Sequence, residues 1–553
     1  VSVVSSRYFV VAAVAVSVWL SASPRAETAG ELVFSVEEAT IAQVHSAFKN
    51  GDLTCHTLVE RYLSRIAAFD QDGPHLNAIA SINPDAVEEA DRLDRLFAEE
   101  GLSGPLHCVP VIVKDNIETL GWETTGGSLA LKGFIPGRDA TAITRLKAAG
   151  ALILAKASMS DLALNALTTV NRIQGRTKNP YELDRVPAGS SGGVAVAISA
   201  NFGLVGLGTD TGNSVRGPAS HASIVGVRPT MGLTSRTGVI PLDLLSDVTG
   251  PMARTIADAA AVLDALAGWD PSDPATEAFR QLSNPPHVRS NLGDVPTGMR
   301  VGVLRQAYQG GPLKVDSQVA RVFARAIADL KSLGVDVADS VSLENVKPSP
   351  IAERCQGLKY DLNDYLKSQG DLVPVHSLAE ILASGRYDPS VDEDMRARQQ
   401  AASEGPGSKA CEANAAYREA VAGALSAAMD RQQLDVLIYP TWSQLPQFIN
   451  HIDVQEAGQS LRFSSSAGFP ALTVPMGFST EELPLGLSLL GRAWSEPLLM
   501  RLSYAYEQAT RHRRPPVLAP PIFAPFAPVD SRSVERHQRD VVQRLGIKGT
   551  RDQ

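Results

Sequence analysis

Residues 189–208 read Gly189-Ser190-Ser191-Gly192-Gly193-Val194-Ala195-Val196-Ala197-Ile198-Ser199-Ala200-Asn201-Phe202-Gly203-Leu204-Val205-Gly206-Leu207-Gly208. A glycine turn leads into a helix-length apolar run, and a short break leads into a second apolar run that ends in glycine. The pattern predicts a helix over Ser191–Ala200 and a buried strand over Leu204–Gly208. A strand with no polar alternation is one covered on both faces. The same unit precedes it: a strand at Val109–Val113, a helix at Ala140–Ala149 closed by Gly150, and a strand at Leu152–Ala155. Strands alternating with helices, without hairpin turns, predict an α/β fold. We expect a single large domain whose mixed, largely parallel central sheet is covered by helices on both faces.

Outward from this centre, Ser35-Val36-Glu37-Glu38 reads as a capping box opening a helix that ends near Gly51. Helical spacing follows over Thr54–Phe69, and Asn83-Pro84 starts a third helix that Gly101 stops. Beyond a Pro-, Ser-, Asn- and Asp-rich loop at 271–300, strand Val301–Leu304, helix Val319–Leu333 and strand Val335–Val337 resume the pattern. Residues 350–430 are polar and mainly helical, as an insertion shaping a substrate entrance would be. Strands return at Asp435–Tyr439, Ala471–Val474 and Leu485–Leu489, and Ser495–Arg511 is a closing helix. Arg513–Pro528 is a proline-rich arm. The expected division is a signal peptide at 1–26, one domain at 27–530 with its insertion at about 350–430, and a charged tail at 531–553.

The leader expectation rests on Arg7, the apolar run Phe9–Leu20 and the small polar stretch Ser21–Ala26. It predicts export to the periplasm or medium, with an uncleaved N-terminal anchor as the lesser alternative and no membrane span once the signal is gone. A formal charge of −9 with 20% charged residues offers no basic face for a phosphate backbone, which excludes nucleic acid as the leading partner. The four cysteines form neither a C-x-x-C pair nor a disulfide framework. Buried free thiols are the expectation, with a Cys355–Cys411 bridge as the alternative in an oxidising compartment.

Three chemistry-bearing residues stand at apolar-run ends or in glycine-rich turns. Lys114 closes Val109–Val113, Ser190 lies in Gly189–Gly193, and Ser214 lies in Gly208-Thr209-Asp210-Thr211-Gly212-Asn213-Ser214-Val215-Arg216. Taken singly, each has a bland explanation: a lysine reaching solvent, a flexible turn, a helix start capped by Asp210. Together they supply a base, a relay and a nucleophile. Ser191 formally satisfies G-x-S-x-G, but Asp184-Arg185-Val186-Pro187-Ala188 cannot be the strand that motif requires. Ser46-Ala47-Phe48-Lys49 is an S-x-x-K at the end of an early helix and lacks its partner motifs. The ten histidines are scattered, no metal motif occurs, and no cofactor or metal is called for.

These stretches resemble the amidase signature hydrolases. The likeness runs through Gly208–Pro218, Gly226–Thr230, Gly238–Pro241 and Thr249–Arg254, with further matches at Asp435–Thr441, Gly468–Leu472 and Leu483–Leu487. The resemblance implies Ser214 as acyl-accepting nucleophile, Ser190 as bridging serine after a cis peptide bond, and Lys114 as base. It implies a small-molecule or peptide amide as partner. Asn213 departs from the second glycine that many members carry there. We expect its side chain to narrow or decorate the site, and the backbone N–H groups of Thr211, Gly212, Asn213 and Ser214 to form the oxyanion hole. Asp210 and Arg216 are expected to brace this turn. Lysine serves as a base only when neutral, which near pH 7 needs a downward shift of about 3 units, or roughly 4 kcal/mol. Burial supplies that direction, and strand alternation turns Asp115 away. Two other readings are an amidotransferase subunit of tRNA-dependent transamidation and a catalytically inactive scaffold. Acidity and the leader weigh against the first, the intact reactive residues against the second.

Overall fold

Thirteen strands are described: β1 Ile79–Ile82, β2 Pro110–Lys114, β3 Leu152–Ala157, β4 Val170–Asn171, β5 Gly175–Arg176, β6 Val205–Asp210, β7 Val225–Arg228, β8 Val248–Ala253, β9 Arg300–Val303, β10 Asp336–Ala338, β11 Val436–Pro440, β12 Ala471–Phe478 and β13 Pro484–Leu490. The computed structural model describes residues 34–522 apart from 310–313, 345, 347–354, 356, 402–404, 406, 454–455, 457, 459 and 461–462. The signal peptide expected at 1–26, the charged tail at 531–553 and the far end of the proline-rich arm lie outside the described residues.

Eleven strands form one sheet in the order β1-β3-β2-β6-β8-β7-β12-β13-β11-β9-β10, while β4 and β5 form a separate pair. The sheet is mixed and flanked by helices, as expected. Parallel pairing joins β3, β2 and β6 on one side and β11, β9 and β10 on the other. The strands between them pair antiparallel. Strands β2 and β6 are buried at every position, which explains their unbroken apolar character. The helix Gly192–Ser199 packs on both and is itself wholly buried. A glycine in β6 permits that approach: a Cβ on Gly206 would lie 2.4 Å from Val194 Cγ1.

Three strands of the large sheet escaped the sequence pattern, as did the short pair β4 and β5. β1 is short, and β7 and β8 carry Gly226 and the Gly250-Pro251 step that normally argue against a central strand. The backbones crowd closely there, since a Cβ on Gly250 would fall 1.9 Å from Val227 O. The first helix starts later than expected, at Ile41. Its capping box is Thr40 with Gln43, whereas Ser35 bonds locally to Glu37. Within 350–430 the structure has helices Gly357–Ser368, Leu378–Ser384, Asp392–Gln400 and Lys409–Arg431. Leu358, Leu362, Leu378, Ile381 and Met395 from the first three share a core with Phe134, Leu162 and Ile240.

The cysteine expectation is overturned. Cys55 pairs with Cys108 and Cys355 with Cys411, leaving no free thiol. The alternative Cys355–Cys411 bridge is present, while the long separation in sequence hid Cys55–Cys108; the paired Cα atoms lie 4.3 and 5.8 Å apart. Among the described residues no helix is long and apolar enough to cross a membrane.

Candidate active site

The parallel pairing of β2 with β6 brings the carboxyl ends of two buried strands together, where an α/β sheet ordinarily opens to ligand. Lys114 is the last residue of β2, and Thr209 and Asp210 close β6. Lys114 Nζ lies 2.7 Å from Ser190 Oγ and donates to Thr209 Oγ1 at 2.8 Å, with Thr209 O at 3.4 Å. Asn116 Nδ2 also donates to Thr209 Oγ1, at 3.2 Å. Neither Lys114 nor Ser190 has any exposed surface.

Burial pushes the Lys114 amine down to about 7, against the opposing pull of the Asp247 and Asp210 carboxylates. Asp115 takes no part, because it faces the other way. Its carboxylate accepts the Thr125 N–H at 3.1 Å and lies 3.5 Å from Lys156 Nζ. Lys156 in turn donates to Ile117 O and Thr124 Oγ1. Two buried lysines therefore flank one strand end, and only Lys114 meets a serine.

The peptide bond Gly189–Ser190 is cis, as the resemblance implies. The turn is held by Gly189 N–H donating to Ala166 O at 2.9 Å and by Thr169 Oγ1 donating to Ala188 O at 2.9 Å. Ser191 N–H donates to Ser214 O at 3.1 Å, which ties the two serine-bearing turns together. The Ser191 hydroxyl is spent on Thr209 O at 3.2 Å and is buried, away from a nucleophile's position. Ser46 lies in the helix Ile41–Asn50, where it and Lys49 are exposed. Ser214 Oγ makes no hydrogen bond among the described residues, so the structure places Lys114 and Ser190 in direct contact and joins Ser214 to them through the backbone.

The amide N–H groups of Thr211, Gly212, Asn213 and Ser214 also donate no hydrogen bond among the described residues, and they form a run of free donors between strand and helix. Around this run Asp210 accepts from Val215 N at 3.2 Å and from Arg216 Nε at 3.1 Å, while Arg216 Nη2 donates to Gly212 O at 2.9 Å. Arg228 adds a second guanidinium at 3.1 Å. Burial would raise the Asp210 carboxyl, but the two arginines hold it well below the usual range. Thr211 Oγ1 donates to Asp247, whose carboxylate also accepts Leu242 N–H and Asp243 N–H. Burial, with Asp243 nearby, lifts Asp247 to about 6.

Sequence reasoning did not single out Thr209, Asn116, Arg228 or Asp247. The positions of Thr209 inside the glycine-rich motif and of Arg228 inside Gly226–Thr230 were the available signals. Asn116 and Asp247 reach the site from separate loops. Among the described residues no group of three His, Cys, Asp or Glu side chains could hold a metal.

The family model described as Amidase matches residues 57–500. The crystal structure of native peptide amidase from Stenotrophomonas maltophilia superposes with a TM-score of 0.78 at 36% identity, covering 87% of this chain and 99% of that one. A probable amidase of Arabidopsis thaliana is 33% identical, over 87% of this chain and 92% of its own length. One component of the glutamyl-tRNA(Gln) amidotransferase of Moorella thermoacetica is 35% identical, over 78% of this chain and 89% of its own length.

Proposed function

The chain belongs to the amidase family, whose chemistry is the hydrolysis of amide C–N bonds, and on that premise we propose that Ser214 is the acyl-accepting nucleophile, Ser190 the relay and Lys114 the base. The observation that carries this reading is the buried amine of Lys114, lowered to about 7 and 2.7 Å from Ser190 Oγ. A neutral amine keeps one lone pair. Two of its N–H bonds can serve Thr209 while the lone pair accepts the Ser190 proton.

As Ser214 Oγ attacks the substrate carbonyl, its proton passes to Ser190 and that of Ser190 to Lys114. The carbonyl oxygen gains negative charge against free N–H groups drawn from residues 211–214, and losing one such donor typically costs about 3 kcal/mol of transition-state stabilisation. The proton on Lys114 returns through Ser190 to the departing amine as the C–N bond breaks. Water, deprotonated by the same relay, then releases the acid from the acyl-enzyme.

Ser214→Ala is expected to bring amide turnover to near background and to abolish labelling by a fluorophosphonate. Lys114→Ala should lose most activity and recover part of it at high pH. Retention of more than about a tenth of the activity in Ser214→Ala would sink the assignment. We also propose export. The pairing of all four cysteines supports an oxidising compartment. Fractionation of cells should find the enzyme in periplasm or medium, and a purely cytoplasmic distribution would overturn this.

A further inference from the structure

The last helix of the insertion, Lys409–Arg431, has two unlike halves. Its buried residues, Val421, Leu425, Ala428 and Met429, all lie in the second half. In the first half, Cys411, Glu412, Ala415, Arg418 and Glu419 recur at the spacing of a single helix face, and that face lines a cavity of about 530 Å³. Small-molecule sites enclose about 300–1,000 Å³. Across the cavity stand Tyr360 and the side chains of Leu244 and Leu245, which are 39% and 42% exposed. The half-helix is tied to the rest of the fold by the Cys355–Cys411 bridge and by Arg418 Nη1, which donates to Ser246 Oγ at 3.0 Å.

The cavity adjoins the reactive turn. Ser246 and Asp247 follow Leu245 directly. Asp247 accepts from Thr211 Oγ1, and Ser246 O accepts from Arg228, which also holds Asp210. Val248 then pairs with Asp210 across β8 and β6. In the sheet β8 lies on one side of β6, and β2 with Lys114 lies on the other. The departing amine takes its proton from the Ser190–Lys114 side, so the acyl part of a substrate at Ser214 is directed toward β8 and the cavity. The charge of that cavity is one-sided. Asp361, Glu412 and Glu419 line it, and none of the three is ion-paired among the described residues. Burial lifts the Asp361 carboxyl only to about 6, so it is ionised at neutral pH. Arg418, the one base among the lining residues, faces Asp243.

We infer that this cavity holds the end of the acyl group farthest from the scissile amide, and that it selects an apolar chain ending in an ammonium or guanidinium group. This rests on Ser214 as nucleophile. Leu244, Leu245 and Tyr360 cover the chain, and Asp361, Glu412 and Glu419 receive the cation. A concave wall carrying charge of one sign draws in ligands of the opposite sign and repels those of its own. A carboxylate at the same place would meet three like charges, and a plain alkyl amide would gain the apolar contact alone.

The test measures kcat/KM for three primary amides of matched length: 8-aminooctanamide, nonanamide and the monoamide of nonanedioic acid. They end in an ammonium, a methyl and a carboxylate. The native enzyme should favour the ammonium over the carboxylate by about tenfold or more, with the methyl compound between them. Asp361→Asn combined with Glu412→Gln and Glu419→Gln keeps the shapes, deletes the charges and should bring that ratio within about threefold. A native ratio below about twofold, or one the triple variant leaves unchanged, overturns the role of the cavity while fluorophosphonate labelling of Ser214 stands. Failure of a protein that still labels to turn over any of the three amides overturns it as well. Labelling that persists in Ser214→Ala overturns the catalytic reading and this one with it. Should the triple variant not fold, the native ratio decides, and one that does not shrink between about 50 mM and 500 mM salt overturns the inference.

Discussion

Lys114 is reactive because almost nothing solvates it. Burial holds its amine near 7, so below that pH it is an ammonium ion and idle, and above it is a free base. The expected result is a kcat/KM that rises with pH through an apparent value near 7 and then levels; a profile flat from about pH 5 to 9 would remove lysine from the role. Asp247 favours the charged form of Lys114 through space while holding Thr211, and it is itself faced by Asp243, Asp361 and Arg236. Asp247→Asn keeps an oxygen for Thr211 but deletes the negative charge. The Lys114 amine should fall further, and the acid limb of the profile should move to lower pH; a limb that moves upward or stays put refutes the coupling. The sequence showed Lys114, Ser190 and Ser214 because each interrupts an apolar or glycine-rich run. It could not show Asp247, whose hydrogen bond to Thr211 spans 36 residues and has no local pattern.

At the scale of elements, periodicity located the helices and the strands buried on both faces, but it missed strands whose backbones crowd their neighbours. Glycine in β7 and Gly-Pro in β8 look like turn signals, and only the approach of the next strand gives them another meaning. Cysteine pairing was only half legible for a related reason: Cys355–Cys411 could be offered as an alternative to free thiols, but spacing gave no sign of Cys55–Cys108, whose partners lie 53 residues apart. The Cys355–Cys411 bridge ties the start of the insertion to its long last helix across a separation of 56 residues. It also lines a cavity of about 530 Å³ with Tyr360, Asp361 and Arg418, beside the 242–247 loop that holds Thr211. Closing a loop of that length stabilises a fold by roughly 2–4 kcal/mol, chiefly by restricting the unfolded chain. The paired replacement Cys355→Ser with Cys411→Ser should lower the thermal midpoint by several degrees, and thiol titration of the unreduced native protein should find no free sulfhydryl. An unchanged midpoint would mean that the insertion is held by its apolar core alone.

Across the whole molecule, buried arginines join segments that sequence keeps apart. Arg254 donates to Ile198 O, Gly203 O and Ala39 O, and Arg513 pairs with Glu38 while reaching Ser223 O and Ser199 O. Arg65 donates to Ala200 O and Asn201 O at the end of the central buried helix, and to Ala519 O and Pro520 O near the end of the described chain. It also pairs with Glu37 close to the other end. The helix that starts at the Ser190 turn is thus clamped at its far end by both ends of the described fold. Nothing in a sequence read locally could announce this, because the value of Arg65 lies in carbonyls more than 130 residues away. Arg65 is 1% exposed, so its guanidinium is sustained by these partners and by the Phe69 ring, 5.0 Å away. Arg65→Met keeps most of the apolar stem and deletes every one of those donors, leaving buried carbonyls without a donor and Glu37 without this guanidinium, though Ser35 and the Ile522 N–H still bond to it. The expected loss is about 3–5 kcal/mol in urea unfolding, with kcat/KM little changed while the protein stays folded. A loss below about 1 kcal/mol would show that water can replace the guanidinium, and that the first and last described segments are held to the core by packing instead.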